Sequence, residues 1–331
     1  MATLLFVCSG SCAKQQFPSS PFAPLETDWP AIPAGQSVLE RISGVEGKML
    51  QYLQAMDNNQ RYATHQITDA ERQLLAVWIA RLPPAHRQLM DSRLVAIALV
   101  DGFKGSGMTD FLRMGDSKAY PQRFILFVNA DILGKTMSER LSERDGSVFK
   151  PAKDGGRLKV TASLSDGGEP PAIWFLLMHE ASHLYDYVKH VTPKIESNLP
   201  DDGDARGKSA ERPFTRDIWL DADHAAAQAD FSLRSQLRFY GLQEPRLEFS
   251  QAGELFDQLL SSPFASIYGS QSWAEDWAEL STWYQFTRAG GKLRIQLVDK
   301  GGTVEKTWLP LDNPRVQARF KQAEAAGFAG F

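Results

Sequence analysis

The segment His179-Glu180-Ala181-Ser182-His183 combines the residue types of a catalytic metal site within about one turn of helix. Residues four apart lie on the same helix face, so His179 and His183 can present ring nitrogens to a single cation. Glu180 is rotated by about 100° from the first histidine and lies beside that cation. There it can accept a proton from a water molecule at the metal. The spacing therefore predicts a zinc site with an adjacent general base.

The two histidines meet only if the segment is helical, and the flanking residues predict a helix. Pro170 and Pro171 suit its first turn, where a missing N–H is no loss. Residues 172–178 are entirely apolar, and Pro193 ends the helix. Three polar groups on so apolar a helix would be costly to bury without partners, and a metal satisfies all of them. The alternative is a buried polar cluster with a structural role.

Catalytic zinc usually takes three protein ligands and a water, so a third ligand must come from elsewhere. A longer motif with a glycine and a third histidine fails, because Asp186 and Lys189 occupy those places and His190 comes one position late. Further along the chain, Glu275 and Glu279 share one face of a predicted helix. One carboxylate can bind the metal while the other hydrogen-bonds a ligating histidine. The alternative is an amphipathic helix with two solvated glutamates.

The pattern His179-Glu180-x-x-His183 followed by Glu275-x-x-x-Glu279 resembles the gluzincin class of zinc metallopeptidases. In that class two helices supply two histidines and one glutamate to the metal. The resemblance implies that His179, His183 and Glu275 bind Zn²⁺. It also implies that Glu180 is the general base and that Glu279 hydrogen-bonds a ligating histidine without binding the metal itself.

The same resemblance implies an activity, a fold and a substrate. Zinc-dependent hydrolysis of peptide bonds is expected, with a peptide or protein as the substrate. Some gluzincins place a tyrosine about two turns before the ligand glutamate, where its hydroxyl stabilises the oxyanion, and Tyr268 stands in that position. The implied fold is an α+β, zincin-like domain in which a sheet precedes the metal helix. Its edge strand runs along the cleft and can bind an extended peptide by strand addition.

Two other functions are open at this point. One is a non-catalytic envelope lipoprotein that binds a metal or a peptide on a peptidase-like fold, although such a module has no need of Glu180. The other is a metal-free hydrolase, such as a glycosidase, that pairs Glu180 with Glu275 or Glu279. His224 is a further candidate ligand, with a loop or helix-cap role as its alternative.

Composition bounds the class of protein. The chain has 331 residues, 43% of them hydrophobic, and a net charge of −4. This length and hydrophobic fraction are enough for the core of one large domain or of two. Mild acidity without a long Lys/Arg run argues against binding nucleic acid. No apolar stretch reaches the roughly 18 residues that span a bilayer.

Hydrophobic periodicity divides the folded part into three regions. An N-terminal helical subdomain is expected over 37–92, with helices at 37–56, at 69–82 and in a short segment ending at Ser92. The zincin-like catalytic domain is expected over 93–290, with strands at 94–100, 123–130 and 158–164 and a helix at 131–143. The C-terminal region, 291–331, is expected to form a β-hairpin around Gly301-Gly302 and a helix at 313–325.

The N-terminus resembles a bacterial lipoprotein signal. Residues 1–12 are short and apolar and end in small residues at Cys12, which would be acylated. Residues 13–36 are rich in Pro and Ser and would serve as a tether. The expectation is a lipid-anchored protein of the cell envelope that faces the periplasm and contacts the membrane through Cys12. The alternative is a cytoplasmic protein with an apolar N-terminus, since no Lys or Arg precedes the segment.

Overall fold

The computed structural model describes residue 29 and residues 31–112, 122–193, 209–241 and 243–325. The predicted signal segment, its acylation site Cys12 and most of the predicted tether lie outside the described residues. Within them, every helix is too short or too polar to cross a bilayer.

Helices and strands both contribute to the structure, so the expected α+β class is confirmed at the level of a mixed architecture. The helices are α1 (Gly47–Met56), α2 (Asp69–Ala80), α3 (Pro84–Arg93), α4 (Met137–Gly146), α5 (Ala172–Lys189), α6 (Ala252–Leu260), α7 (Trp273–Arg288) and α8 (Pro314–Ala323). The strands are β1 (Ile42–Gly44), β2 (Ala63–Thr64), β3 (Leu94–Asp101), β4 (Gly107–Phe111), β5 (Phe124–Asn129), β6 (Arg157–Ser163), β7 (Lys292–Val298) and β8 (Val304–Trp308).

The larger sheet has five strands in the order β1-β3-β5-β4, and β2 pairs with the end of β3. The strands β1, β3 and β5 are parallel, whereas β4 runs antiparallel to β5 at the edge of the described sheet. Both β3 and β5 are the apolar runs predicted as strands, and they are buried almost throughout. Continuous burial is typical of parallel strands covered on both faces. Sequence reasoning missed β4, because Gly-Met-Thr-Asp-Phe lacks a clear apolar alternation.

The helix predicted over 37–56 is wrong in its first half. A short 3-10 helix comes first, β1 follows, and α1 begins only at Gly47. A Cβ on Gly44 would lie 2.5 Å from the carbonyl oxygen of His65, and Gly47 has a φ of +55°. Both positions favour glycine and interrupt a helix. The segment 37–92, expected to be helical, therefore also contributes β1 and β2 to the larger sheet.

A second, three-stranded antiparallel sheet has the order β6-β7-β8. The strands β7 and β8 form the predicted C-terminal hairpin, and α8 is the predicted helix after it. The strand β6, also predicted, pairs with β7 along its whole length. The C-terminal hairpin is thus joined to the segment that immediately precedes the histidine motif.

His65 connects β2 to its neighbours through two carboxylates. Its Nδ1 lies 2.7 Å from Oδ1 of Asp101 at the end of β3, and its Nε2 lies 3.2 Å from Oε1 of Glu71 in the first turn of α2. Burial lowers the pKa of His65, but Asp101 and Glu71 outweigh burial and raise it above its ordinary value. The folded state therefore favours the protonated ring.

This contact predicts a pH dependence of stability. A raised pKa in the folded state means that His65 stabilises the fold fully below its ordinary pKa of about 6.5. The contribution is lost as the pH rises through the folded-state pKa. We expect the difference in urea midpoint between the wild type and His65→Gln to shrink from pH 5.5 to pH 8.5. A difference that stays constant over this range would contradict the assignment.

Candidate metal centre

The helix α5 carries the histidine motif and is buried along most of its length. It begins directly after Pro171, as predicted. His190 closes its last turn in a left-handed conformation (φ +53°) and donates its N–H to the carbonyl oxygen of Asp186 at 2.7 Å. A left-handed residue is a common helix end. The whole motif therefore lies on one regular helix, where His179 and His183 share a face.

The helix α7 brings the two glutamates to the same place. Ser272 caps its N-terminus by accepting the N–H of Glu275 at 3.2 Å. Both Glu275 and Glu279 are buried, so the alternative of two solvated glutamates is wrong. Trp277 donates its indole N–H to the backbone oxygen of Ser182 on α5 at 3.0 Å. This bond holds α7 against the histidine motif.

Three buried ligand atoms converge between these helices. Nε2 of His179 lies 3.1 Å from Nε2 of His183 and 3.1 Å from Oε2 of Glu275, and the third side of the triangle is 3.4 Å. A tetrahedral zinc ion with bonds of about 2.0–2.1 Å holds its ligand atoms about 3.3–3.4 Å apart. The three donors thus fit one face of such a tetrahedron. This buried group could bind a metal ion.

The electrostatic surroundings of His179 favour a positive charge. Burial lowers the pKa of His179, but the carboxylates of Glu275 and Glu279 outweigh it and raise the pKa to about 10. A field that stabilises an imidazolium at this point also stabilises a cation held by the ring.

Glu279 supports His179 and is itself held by three donors. Its Oε1 accepts from Nη1 of Arg144 at 2.7 Å, and its Oε2 accepts from Oγ of Ser266 at 2.6 Å and from Nε1 of Trp283 at 2.9 Å. Its Oε1 also lies 3.3 Å from Nδ1 of His179, without the angle of an aligned hydrogen bond. Burial raises the pKa of Glu279, but Arg144 and His179 lower it to about 2. The carboxylate is therefore ionised, as it must be to orient the ring of a ligating histidine.

Tyr268 also reaches the site. Its ring centroid lies 6.0 Å from that of His179, and the guanidinium of Arg144 lies 4.9 Å above its ring. Burial, followed by the charges of Glu275 and Tyr240, raises the pKa of its hydroxyl well above the ordinary value. The hydroxyl therefore stays protonated and can act as a hydrogen-bond donor.

Glu180 is positioned by the edge strand. Its Oε2 accepts the main-chain N–H of Thr109 at 2.7 Å, and its backbone oxygen accepts from the Thr109 hydroxyl at 3.2 Å. The carboxylate of Glu180 is therefore tied to β4, while its neighbour His179 belongs to the triangle of possible ligand atoms.

Sequence reasoning missed two residues of this site, Arg144 and Thr109. Arg144 lies in the last turn of the largely polar helix α4, where the sequence suggests an ordinary surface cation, yet it is buried with Glu279 and Asp145. Thr109 belongs to the strand that lacks a clear pattern. The one available signal was that a buried Glu279 needs a cation as its partner.

His224 belongs to a different group. Its Nδ1 lies 2.7 Å from Oδ1 of Asp221 and 2.9 Å from Oδ1 of Asp223, and its side chain is 57% exposed. Asp221 also accepts the main-chain N–H groups of Asp223 and His224. These are contacts of a surface turn, which fit the loop role expected as the alternative for His224. The three side chains also lie close enough together to hold a metal ion, so the ligand role stays a prediction.

The carboxylate of Glu279 should tune the affinity for the metal. We expect Glu279→Gln to weaken zinc binding by about 10- to 100-fold, because the amide keeps the size of the side chain but removes the charge beside His179. Competition with a chromophoric chelator measures the Kd. The exposed Glu254→Gln on α6 is the matched control and should bind like the wild type. Equal affinities of all three proteins would show that Glu279 does not support the ligand.

No known family model matches this chain, and neither does a curated protein or a solved structure.

Proposed function

We propose that this protein is a zinc-dependent peptidase that hydrolyses peptide bonds with Glu180 as its general base. One observation carries the proposal: three buried ligand atoms, 3.1–3.4 Å apart, lie beside a glutamate that a strand edge holds in place. The order of these residues along the chain supports the resemblance to gluzincins and, with it, a zincin-like fold.

Zinc is the metal that this set of ligands suits best. Two imidazoles and one carboxylate are a donor set of catalytic zinc sites, which keep a further position for water or substrate. When bound, zinc lowers the pKa of a water molecule and polarises a carbonyl group.

The residues of the chain then have separate tasks. Glu180 accepts a proton from the attacking water and delivers it to the leaving amine. Tyr268 keeps its hydroxyl proton and can donate a hydrogen bond to the developing oxyanion. Glu279 and Arg144 hold the ring of His179 from behind.

The strand β4 would form one wall of the substrate cleft. Ser106 and Leu112, at either end of it, form main-chain hydrogen bonds with the β5 segment. In an antiparallel pair such bonds recur at every second residue. The backbone groups of Gly107, Thr109 and Phe111 therefore point away from β5, toward the edge that contacts α5 at Glu180.

At Thr109 and Phe111 this edge would accept hydrogen bonds rather than donate them. The N–H of Thr109 is bonded to Glu180, and the N–H of Phe111 is bonded to Oδ1 of Asp110 at 2.8 Å. A substrate peptide would then use its own N–H groups to reach the carbonyl oxygens of β4. Strand addition normally uses both the N–H groups and the carbonyl oxygens of an edge strand, and here the carbonyl oxygens would take part.

The alternatives have less support. A glycosidase that used Glu279 as its acid would need a protonatable carboxyl, but the pKa of Glu279 is about 2 and three donors hold it ionised. A binding module without catalysis leaves the position of Glu180 unexplained. Lipid attachment at Cys12 and a place in the cell envelope are also part of the proposal, and they are based on the sequence alone.

Peptide cleavage with and without a chelator tests the proposal. Purified protein loaded with zinc is incubated with a broad peptide pool, and products are identified by mass spectrometry. We expect cleavage that 1,10-phenanthroline abolishes and added Zn²⁺ restores. The proposal is wrong if the pool stays intact or if cleavage is unaffected by the chelator.

A further inference from the structure

We propose that Thr109 is a positioning residue that fixes the orientation of Glu180 through both its main-chain N–H and its hydroxyl. The kinetic consequence depends on the proposed hydrolysis, whereas the contact can be tested without it.

The contact is buried and two-sided. Thr109 is 6% exposed and Glu180 is 5% exposed. The main-chain N–H of Thr109 bonds to Oε2 of Glu180 at 2.7 Å, and its hydroxyl bonds to the backbone oxygen of Glu180 at 3.2 Å. In the described part of the chain, no other group hydrogen-bonds this carboxylate. Thr109 therefore fixes one carboxylate oxygen and leaves Oε1 to receive the proton.

The strand approaches α5 closely along this edge. A Cβ on Gly107 would lie 2.5 Å from the carbonyl oxygen of Phe127 and 2.9 Å from the side chain of Leu176 on α5. Because residue 107 is glycine and has no Cβ, β4 can lie close to α5 two residues before Thr109. The close approach brings the Thr109 N–H within reach of the carboxylate.

The N–H of Thr109 is free for this task because it is not part of the β5 ladder. Main-chain hydrogen bonds at the even-numbered residues, Met108 and Asp110, hold β4 on β5. The bond from Thr109 to Glu180 can therefore be lost while the sheet stays intact. Proline is tolerated on an edge strand where the N–H points away from the partner strand. Thr109→Pro therefore removes the donor to Glu180 without breaking a bond to β5, and its ring carbon displaces the carboxylate from its place beside the strand.

Three substitutions separate the two bonds. Thr109→Ser keeps both bonds and should retain wild-type kcat. Thr109→Val keeps the branched shape but loses the hydroxyl bond, and we expect kcat to fall about tenfold. Thr109→Pro loses both bonds, and we expect kcat to fall about 100-fold or more, because hydrogen bonds to charged groups are stronger. The zinc content should stay unchanged in all three variants, which a general loss of structure would not allow.

Amide exchange tests the contact in the absence of any activity. In Glu180→Ala we expect the Thr109 amide to exchange about 10-fold faster or more, because the charge-assisted hydrogen bond to the carboxylate is lost. The amides of Met108 and Asp110, which face β5, should keep their protection. Unchanged protection of Thr109 overturns the proposal, and so does wild-type kcat in both Thr109→Val and Thr109→Pro. If exchange behaves as expected but the wild-type enzyme cleaves nothing, Thr109 still positions Glu180 and the proposed hydrolysis fails.

Discussion

Replacing Glu180 by glutamine should leave the zinc content unchanged and lower kcat by about 10²- to 10⁴-fold. The reason is that the amide cannot accept the proton of the attacking water, and proton transfer by a positioned side chain contributes a factor of this size. The metal should stay, because the ligand triangle consists of His179, His183 and Glu275 and does not include Glu180. Steady-state kinetics on a peptide found by the pool experiment, together with elemental analysis, measures both quantities.

The exposed Glu254→Gln is the matched control, since it makes the same chemical change on a helix away from the motif. It should have wild-type kcat and zinc content. An active Glu180→Gln would show that another group removes the proton. A variant that lost zinc as well would place Glu180 among the ligands.

Replacing His183 by alanine should abolish stoichiometric zinc binding and the thermal stabilisation that zinc provides. A ligand present at 1,000 times its Kd stabilises the folded state by about 4 kcal/mol. For a chain of this size, that corresponds to a loss of roughly 6 °C in Tm when the metal is removed from the wild type. The variant has lost one of the three proposed ligands, so EDTA should not change its Tm. Calorimetry or dye-based melting with and without chelator measures the difference.

The response to the chelator separates loss of metal from simple damage to the core. A cavity left by the missing imidazole lowers the Tm equally with and without EDTA, whereas loss of the site removes the EDTA effect itself. His224→Ala, in the exposed cluster, should keep the full response. A large EDTA effect that persists in His183→Ala would mean that the stabilising metal lies elsewhere.

The helix with the histidine motif and the helix with the two glutamates were predictable because both patterns are local. A spacing of four residues fixes which face His179 and His183 share, and the same rule groups Glu275 with Glu279. The spacing alone could not predict that the two helices pack against each other. That packing depends on tertiary contacts such as the bond from Trp277 to the backbone of Ser182, 95 residues apart.

The supporting residues were not predictable for the same physical reason. Arg144 and Glu279 are 135 residues apart, and nothing near Arg144 distinguishes it from a solvated cation. Thr109 bonds to Glu180 through its main-chain N–H and its hydroxyl, and this contact depends on its place at the sheet edge. The first half of the helix predicted over 37–56 is wrong because pairing of β1 with β3 outweighs helical periodicity there.

The central claim is that two imidazoles and one carboxylate bind the same zinc ion. X-ray absorption at the zinc K-edge, on purified protein with its metal content measured, tests this claim most directly. The account predicts about one zinc per chain, with two imidazole nitrogens and one or two further oxygen ligands at about 2.0–2.2 Å. A chain that binds no stoichiometric zinc, or a zinc shell without imidazole scattering, would contradict it.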